Sequence, residues 1–369
     1  MGRRRFAGGM AASTDSCRRG SRVPFCTDHP CMSQPPTRRT SAATADPSSA
    51  RRLGTGPHPI APPHTEAPAL GDQVIQISDL RSVTGSYQAA RAQVAGLQRL
   101  ARGAYGHTTG LTPEATHVLT ARAMLTRVGE AVASHTTAAV AWGFPVRTMD
   151  LERVHLSPVA GRAGKPKRGP GYHFHNTPVP PEDVDLGYTS ALRTVLDCSR
   201  LIRADWAVVI ADAALHRGLT SPAELAESAS RVRNVTGAAR ARALPSLCSA
   251  LSESPGETLL RLRLRRMGIQ PGEQVVLRDV EGNPRVDFLI DDSLVLEFDG
   301  RAKYTMQADP ERAHWEEKQR QDRISEAGYE VLRITWAQLW DEAALRSRIA
   351  RARSRAQARR GATTANPLR

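Results

Sequence analysis

The stretch Arg285–Gly300 constrains the fold more tightly than any other part of the chain. It reads Arg-Val-Asp-Phe-Leu-Ile-Asp-Asp-Ser-Leu-Val-Leu-Glu-Phe-Asp-Gly, two short apolar runs around an Asp-Asp-Ser turn, and so predicts a β-hairpin. Each run carries charge: Asp287 in the first, Glu297 and Asp299 in the second. A carboxylate in an apolar strand is costly unless it is paired or holds a metal. A three-residue turn, Asp291–Ser293, pairs Ile290 with Leu294 and sets Asp287 directly across from Glu297, with facing Cβ atoms about 5 Å apart. A turn of two or four residues would place the pair on opposite faces.

Two facing carboxylates repel unless a cation lies between them. Mg²⁺ (or Mn²⁺) is the expected guest, a hard ion content with one or two carboxylates plus water and phosphate. Such an ion polarises a phosphodiester and lowers the pKa of a bound water. Lys303 follows the hairpin, and His314 and Lys318 stand one turn apart on the next helix. These are candidates to orient the attacking water or relieve phosphate charge. Glu257 has two readings: a fourth acidic ligand from the preceding helix, or part of a capping box with Ser254 as N-cap and Pro255 at the first helical position. Asp291 and Asp292 are read as turn formers, and Trp315, Trp336 and Trp340 as core residues.

The formal charge of the 369-residue chain is +14, but it is unevenly spread. Residues 1–70 hold 10 Arg against 4 acidic residues, and residues 346–369 hold 8 Arg and no acid. The intervening 71–345 carries 33 residues of each sign and is neutral. Basic tails suit non-specific contact with phosphates; Arg- and Ala-rich coding bias explains them equally well. The five cysteines match no zinc spacing and their number is odd, which fits a reduced, cytoplasmic chain. No apolar run is long enough for a membrane span, and the N-terminus lacks a signal-peptide core.

Five segments are expected. Residues 1–70, rich in Pro, Ser, Thr and Arg, read as a disordered tail, with a start at Met32 left open. Residues 72–110 read as a small winged-helix-like unit, helical from Tyr87 to Leu100 and then a turn and strand, in which Arg91, Arg99 and Arg102 could meet phosphates. The alternative is a helical packing unit with solvated arginines. Residues 111–245 read as mixed α/β, with helices at Thr116–Ala133, Ala191–Ser199 and Ala204–His216, strands at Glu152–Ser157 and Tyr172–Asn176, and a basic loop at Gly161–Gly171. His173 and His175 alternate on one strand face, where a metal is the sharper reading and an ordinary polar face the plainer one. His135 reads as a helix-start or packing residue. Residues 246–345 read as helix 255–267, strands 274–280, 285–290 and 294–299, helix 310–327, strand 329–335 and a final helix. Residues 346–369 read as a basic tail.

That order of elements, with the spaced Asp287 and Glu297, resembles the PD-(D/E)XK nuclease superfamily. Val286-Asp-Phe-Leu, Val295-Leu-Glu-Phe-Asp-Gly300, Glu317-Lys-Gln-Arg-Gln-Asp-Arg323 and Ala327-Gly-Tyr-Glu-Val-Leu-Arg-Ile-Thr-Trp336 more narrowly resemble the domain of unknown function related to very-short-patch-repair endonucleases. The likeness covers about Ser252–Leu345. It implies a restriction-endonuclease-like α-β-β-β-α-β domain, Asp287 and Glu297 as metal ligands and Glu257 as the helix carboxylate. Asp299 stands where the superfamily motif has its lysine, which leaves the general base unassigned. Upstream, Ser134-His-Thr-Thr-Ala-Ala-Val-Ala-Trp-Gly143 and Thr189-Ser-Ala-Leu-Arg-Thr-Val-Leu-Asp197 are similar to AbiEi-type antitoxin-like proteins of type IV toxin–antitoxin systems. This likeness spans about 72–245 and implies DNA binding by the N-terminal unit.

The expected fold class is therefore α/β, and the expected function is that of a metal-dependent endonuclease-like protein acting on DNA, in repair or in phage or plasmid defence. The rival is an antitoxin-like DNA-binding regulator with an inactive nuclease fold. An RNA substrate fits the same residues. DNA is the expected partner, a cognate toxin or self-association a further one, and no membrane is expected.

Overall fold

The structure, a computed structural model, describes residues 74–161, 171–300 and 310–364. The 1–70 tail, Lys165, Lys167 and Arg168 of the basic loop, and Lys303 lie outside the described residues. The described part is mixed α/β, with three sheets. No helix in it is long and apolar enough to cross a membrane.

β1 (Val74–Gln76) leads into α1 (Ile77–Thr84), and Gly85, at φ 68°, turns the chain into α2 (Tyr87–Gln93). The helix expected to reach Leu100 ends at Gln93, and β2 (Gln98–Ala101) follows. Gly96, at φ 87°, adopts the left-handed conformation that ends helices. β2 pairs antiparallel with β3 (Ala104–Gly106), and β3 with β1. α3 (Pro113–Val128) closes this unit, packing Leu119 and Ala123 on Leu100 and Ala104. The helix expected over Thr116–Ala133 also stops early. Gly129 and Glu130 both have positive φ, and Ala131–Ala133 is strand β4.

The middle sheet has the order β6-β5-β4-β8-β7. β5 is Val154–Pro158, β6 Tyr172–Phe174, β7 Val184–Asp185 and β8 Tyr188–Thr189. α4 (His135–Ala141) lies against it, α5 (Ala191–Leu201) packs on α4, and α6 (Ala204–His216), α7 (Pro222–Arg231) and α8 (Ala238–Ala243) pack in turn around α5. Ala139, Val195, Ile210, Leu225 and Leu244 form their common core.

Four histidines gather on this sheet. His155 and His173 are register partners on the parallel strands β5 and β6. His155 Nδ1 lies 2.9 Å from His175 Nε2. His135 stacks on His175 with ring centroids 3.5 Å apart and planes 10° from parallel. Burial, then the neighbouring His173, lowers the pKa of His155 to about 4. Burial, then His155 and His173, lowers that of His175 to about 3.

The C-terminal sheet has the order β12-β11-β10-β9. α9 (Pro255–Arg266) precedes β9 (Gly272–Val276), β10 (Arg285–Ile290) and β11 (Leu294–Asp299). α10 (Pro310–Glu326) then carries the chain to β12 (Glu330–Thr335), parallel to β11, and α11 (Trp336–Leu339) and α12 (Glu342–Thr364) follow. Phe288, Ile290, Leu294, Leu296 and Phe298 belong to the larger core, with Leu260 and Leu264 of α9 and Ile349 and Ala352 of α12. Val295, Ile324 and Tyr329 belong to a smaller one. Residues 346–364, expected as part of a tail, are helix. Leu345, Ile349, Ala352 and Ala356, spaced by three and four, form its buried stripe. Of its arginines, Arg353 bonds Asp291 at 2.7 Å and Arg355 bonds Glu330 at 2.7 Å.

The middle and C-terminal segments share apolar and ionic contacts. Val209 of α6 lies in the larger C-terminal core. Asp212 of α6 is ion-paired with Arg261 of α9, and both are buried. Asp212 also accepts from Thr258 Oγ1 and from Ser249 N–H, each at 2.8 Å, and Arg261 Nη1 donates to Leu247 O at 2.6 Å. Removing one partner of such a pair strands the other charge. Arg261→Met should therefore lower stability by about 3–5 kcal/mol in denaturant unfolding; a loss below about 1 kcal/mol would contradict the buried pair.

The imidazoles predict a pH dependence. The folded-state values of about 4 and about 3 lie below the 6.5 of a free imidazole. Their contribution is thus fully present above the free value and is lost as pH falls through it toward the folded values. Between about pH 7 and pH 5 the melting temperature should fall more steeply in the wild type than in His175→Gln; parallel slopes would count against the cluster.

A candidate active site on the β10–β11 hairpin

The turn joining β10 and β11 has three residues, Asp291–Ser293, and Ile290 pairs with Leu294, Leu289 with Val295 and Phe288 with Leu296. Asp291 and Asp292 hold φ of 48° and 49°, a conformation that Asp tolerates better than most residues. Ser293 N–H closes the turn on Ile290 O at 3.1 Å. This odd length puts Glu297 on the same face as Val295, away from Leu296 and Phe298.

The regular ladder stops at Phe288–Leu296, one pair short of the direct facing expected for Asp287 and Glu297. Phe298 N–H instead donates to Asp287 Oδ2 at 2.8 Å. On the other face the Phe298 ring lies against Gly256 in the first turn of α9, where an added Cβ would come within 1.9 Å of the ring. Gly256 thus lets the helix close onto the strand that carries the carboxylates.

Asp287, Glu297 and Asp299 line one cavity of about 290 Å³, together with Glu253, Arg285, Phe298, Gly300, Glu317, Arg320 and Arg333. Glu297 Oε1 is ion-paired with Arg320, and Oε2 with Arg333 at 3.4 Å. Glu317 bonds the same two arginines, which closes a ring of two acids and two bases. Burial opposes the charge on Arg320, but the hydrogen bond to Glu317 and the charge of Glu297 prevail and raise its pKa well above the ordinary value. Five carboxylates against three guanidinium groups leave the described lining two negative charges.

That excess and the hard oxygen donors fit a divalent cation such as Mg²⁺, which needs one or two carboxylates and keeps its waters. Among the described residues no group of three or more His, Cys, Asp or Glu is arranged to cage an ion. Asp287 and Glu297 are the pair that would hold it, and Glu297 would have to exchange an arginine for the ion.

The remaining expected residues separate. Glu257 is not in this lining; its carboxylate accepts from Ser254 Oγ at 2.7 Å, Glu253 N–H at 2.9 Å and Gln274 Nε2 at 2.9 Å. Ser254 caps α9 as read from the sequence, accepting from Glu257 N–H at 3.2 Å, but Glu257 reaches back to the N–H of Glu253 and not to that of Ser254, so the full capping box does not form. His314 is exposed on α10 and does not line the cavity. Sequence reasoning missed Arg320, Arg333 and Glu317. Glu317 and Arg320 show the i, i+3 spacing of a helical ion pair. Arg333 meets Glu297 as its parallel register partner, a neighbour that spacing along the chain cannot reveal.

In the N-terminal unit, Arg91, Arg99 and Arg102 share a cleft of about 750 Å³ with Arg127 of α3, Tyr87 and Tyr105. Asp79 is the one carboxylate in that lining. Arg127 was not anticipated, because it comes from the helix after the hairpin.

Comparison with protein-family models, with curated proteins and with solved structures returns no match.

Asp287 holds the Phe298 N–H, so Asp287→Ala should cost about 1–3 kcal/mol in chemical denaturation. Asp287→Asn keeps an acceptor oxygen and should retain most of that stability. Equal losses in the two variants would show that the hydrogen bond is not what matters.

Proposed function

We propose that the chain is a metal-dependent, endonuclease-like protein that hydrolyses phosphodiester bonds in DNA. The observation that carries this reading is the convergence of Asp287, Glu297 and Asp299 in a cavity that also presents Arg285, Arg320 and Arg333. Mg²⁺ or Mn²⁺, when bound, supplies Lewis-acid polarisation of the phosphate and a water of lowered pKa. Asp287 and Glu297 hold the ion, and the Phe298 N–H fixes the Asp287 carboxylate. Arg320 and Arg333 engage phosphate oxygens, for which a guanidinium fork is well shaped. Taking up phosphate releases them from Glu297. Asp299, at the end of β11, would orient the attacking water. In the N-terminal unit Arg91, Arg99, Arg102 and Arg127 contact the DNA backbone.

One observation favours a second reading, a non-catalytic, antitoxin-like DNA-binding regulator. Both oxygens of Glu297 are satisfied by arginines, and no lysine is among the described lining. An ion pair of that kind stabilises a fold without any metal.

Nicking of supercoiled plasmid separates the two. The proposal expects nicking that requires Mg²⁺ or Mn²⁺ and disappears in Asp287→Asn with the fold intact. Nicking unchanged in the variant would assign it to a contaminant. If Mn²⁺ leaves the melting temperature unmoved while DNA raises it, the regulator reading stands instead.

A further inference from the structure

The histidine cluster of the middle sheet plays no part in the reading above. His173 and His175 lie two residues apart in sequence at strand β6, and β5 supplies the third ligand that the sequence lacked. His155 is the parallel register partner of His173. Ring centroids are 5.6 Å apart for His155 and His173, 5.2 Å for His155 and His175, and 4.5 Å for His173 and His175. Imidazoles that share a tetrahedral ion at the usual Zn–N length have centroids about 5 Å apart. The centroid separations match that spacing, though as the rings stand no three of the described side chains are placed to hold an ion.

We propose that His155, His173 and His175 bind a borderline divalent transition-metal ion of the Zn²⁺ class. Imidazole nitrogen suits such ions and suits Mg²⁺ poorly, so this site differs in chemistry from the carboxylate cavity. The rings are not now arranged as a finished cage. His155 Nδ1 and His175 Nε2 hold each other at 2.9 Å, and one ion replaces that hydrogen bond with a bond to each nitrogen as the donor ring shifts its proton to its other nitrogen. Burial keeps both rings neutral at pH 7, the form that donates a lone pair.

The surroundings support the site. His135 stacks on the far side of His175 and its Nδ1 lies 3.0 Å from Ser134 Oγ. It keeps that place at φ 52°, a backbone conformation strained for a residue other than glycine. His173 is exposed, and His155 lines a cavity of about 370 Å³. Thr136 lines the same cavity, and its buried Oγ1 has no hydrogen-bond partner.

The full-length protein, freed of metal and titrated with Co²⁺ as a visible-absorbing stand-in for Zn²⁺, tests this. Co²⁺ bound by the three imidazoles should give an intense d–d band that saturates at one equivalent, and competing Zn²⁺ should abolish the band. His173→Gln, on an exposed position, and His175→Gln should each weaken uptake about tenfold or more while remaining folded by circular dichroism. Asp287→Asn should leave the d–d band unchanged, which separates this ion from one held at the hairpin. No uptake by the wild type, or uptake equal in His173→Gln, overturns the proposal. Should His175→Gln fail to fold, His173→Gln alone decides.

Discussion

The odd length of the Asp291–Ser293 turn is the constraint on which the rest of the C-terminal unit depends. Side chains alternate faces along a strand, so one residue more or less would turn Leu296 and Phe298 outward and Glu297 inward. With three residues, Phe288, Ile290, Leu294, Leu296 and Phe298 enter the larger core. Val295 and Glu297 fall on the other face, where Glu297 meets α10 through Arg320 and β12 through Arg333. The turn is itself tied down, since Asp291 is bonded by Arg353 of α12. Helix α12 in turn hides Ile349 and Ala352 in the core that the turn makes possible.

Electrostatics explains why such an acidic hairpin is tolerated. Two of its carboxylates are satisfied in protein terms, Glu297 by two arginines and Asp287 by a backbone N–H. Yet the described lining keeps two more carboxylates than guanidinium groups. The ion pairs hold without a metal, and it is this excess that the proposed function would use to draw a cation. The same logic, with neutral rings in place of charges, holds in the middle sheet, where burial keeps His155 and His175 unprotonated and so ready to donate lone pairs.

Much of the C-terminal architecture was legible in the sequence. β10 and β11 fall at the expected residues, and Gly268 and Gly328 adopt the left-handed conformation expected just past α9 and α10. The start of α9 was legible too, with Ser254 as N-cap and Pro255 in the first turn. What could not be read came from pairings between segments distant in the chain. The Glu297–Arg333 contact follows from a parallel crossover. The histidine cluster needs β5, β6 and α4 brought together. α12 was obscured because its apolar stripe is diluted by arginines, and α2 and α3 were overrun because Gly96 and the Gly129–Glu130 pair end helices by conformation rather than by polarity. The ladder break at Asp287 was invisible because nothing in a strand pattern shows a side chain replacing a backbone acceptor.

The central claim is that the hairpin carboxylates form a divalent-cation site. Anomalous diffraction from a crystal soaked in Mn²⁺ tests it most directly. The account predicts a peak within bonding distance of Asp287 and Glu297, with at least one of the Glu297–arginine contacts opened. A hairpin without a peak, its Arg320 and Arg333 contacts intact under saturating Mn²⁺, would contradict it.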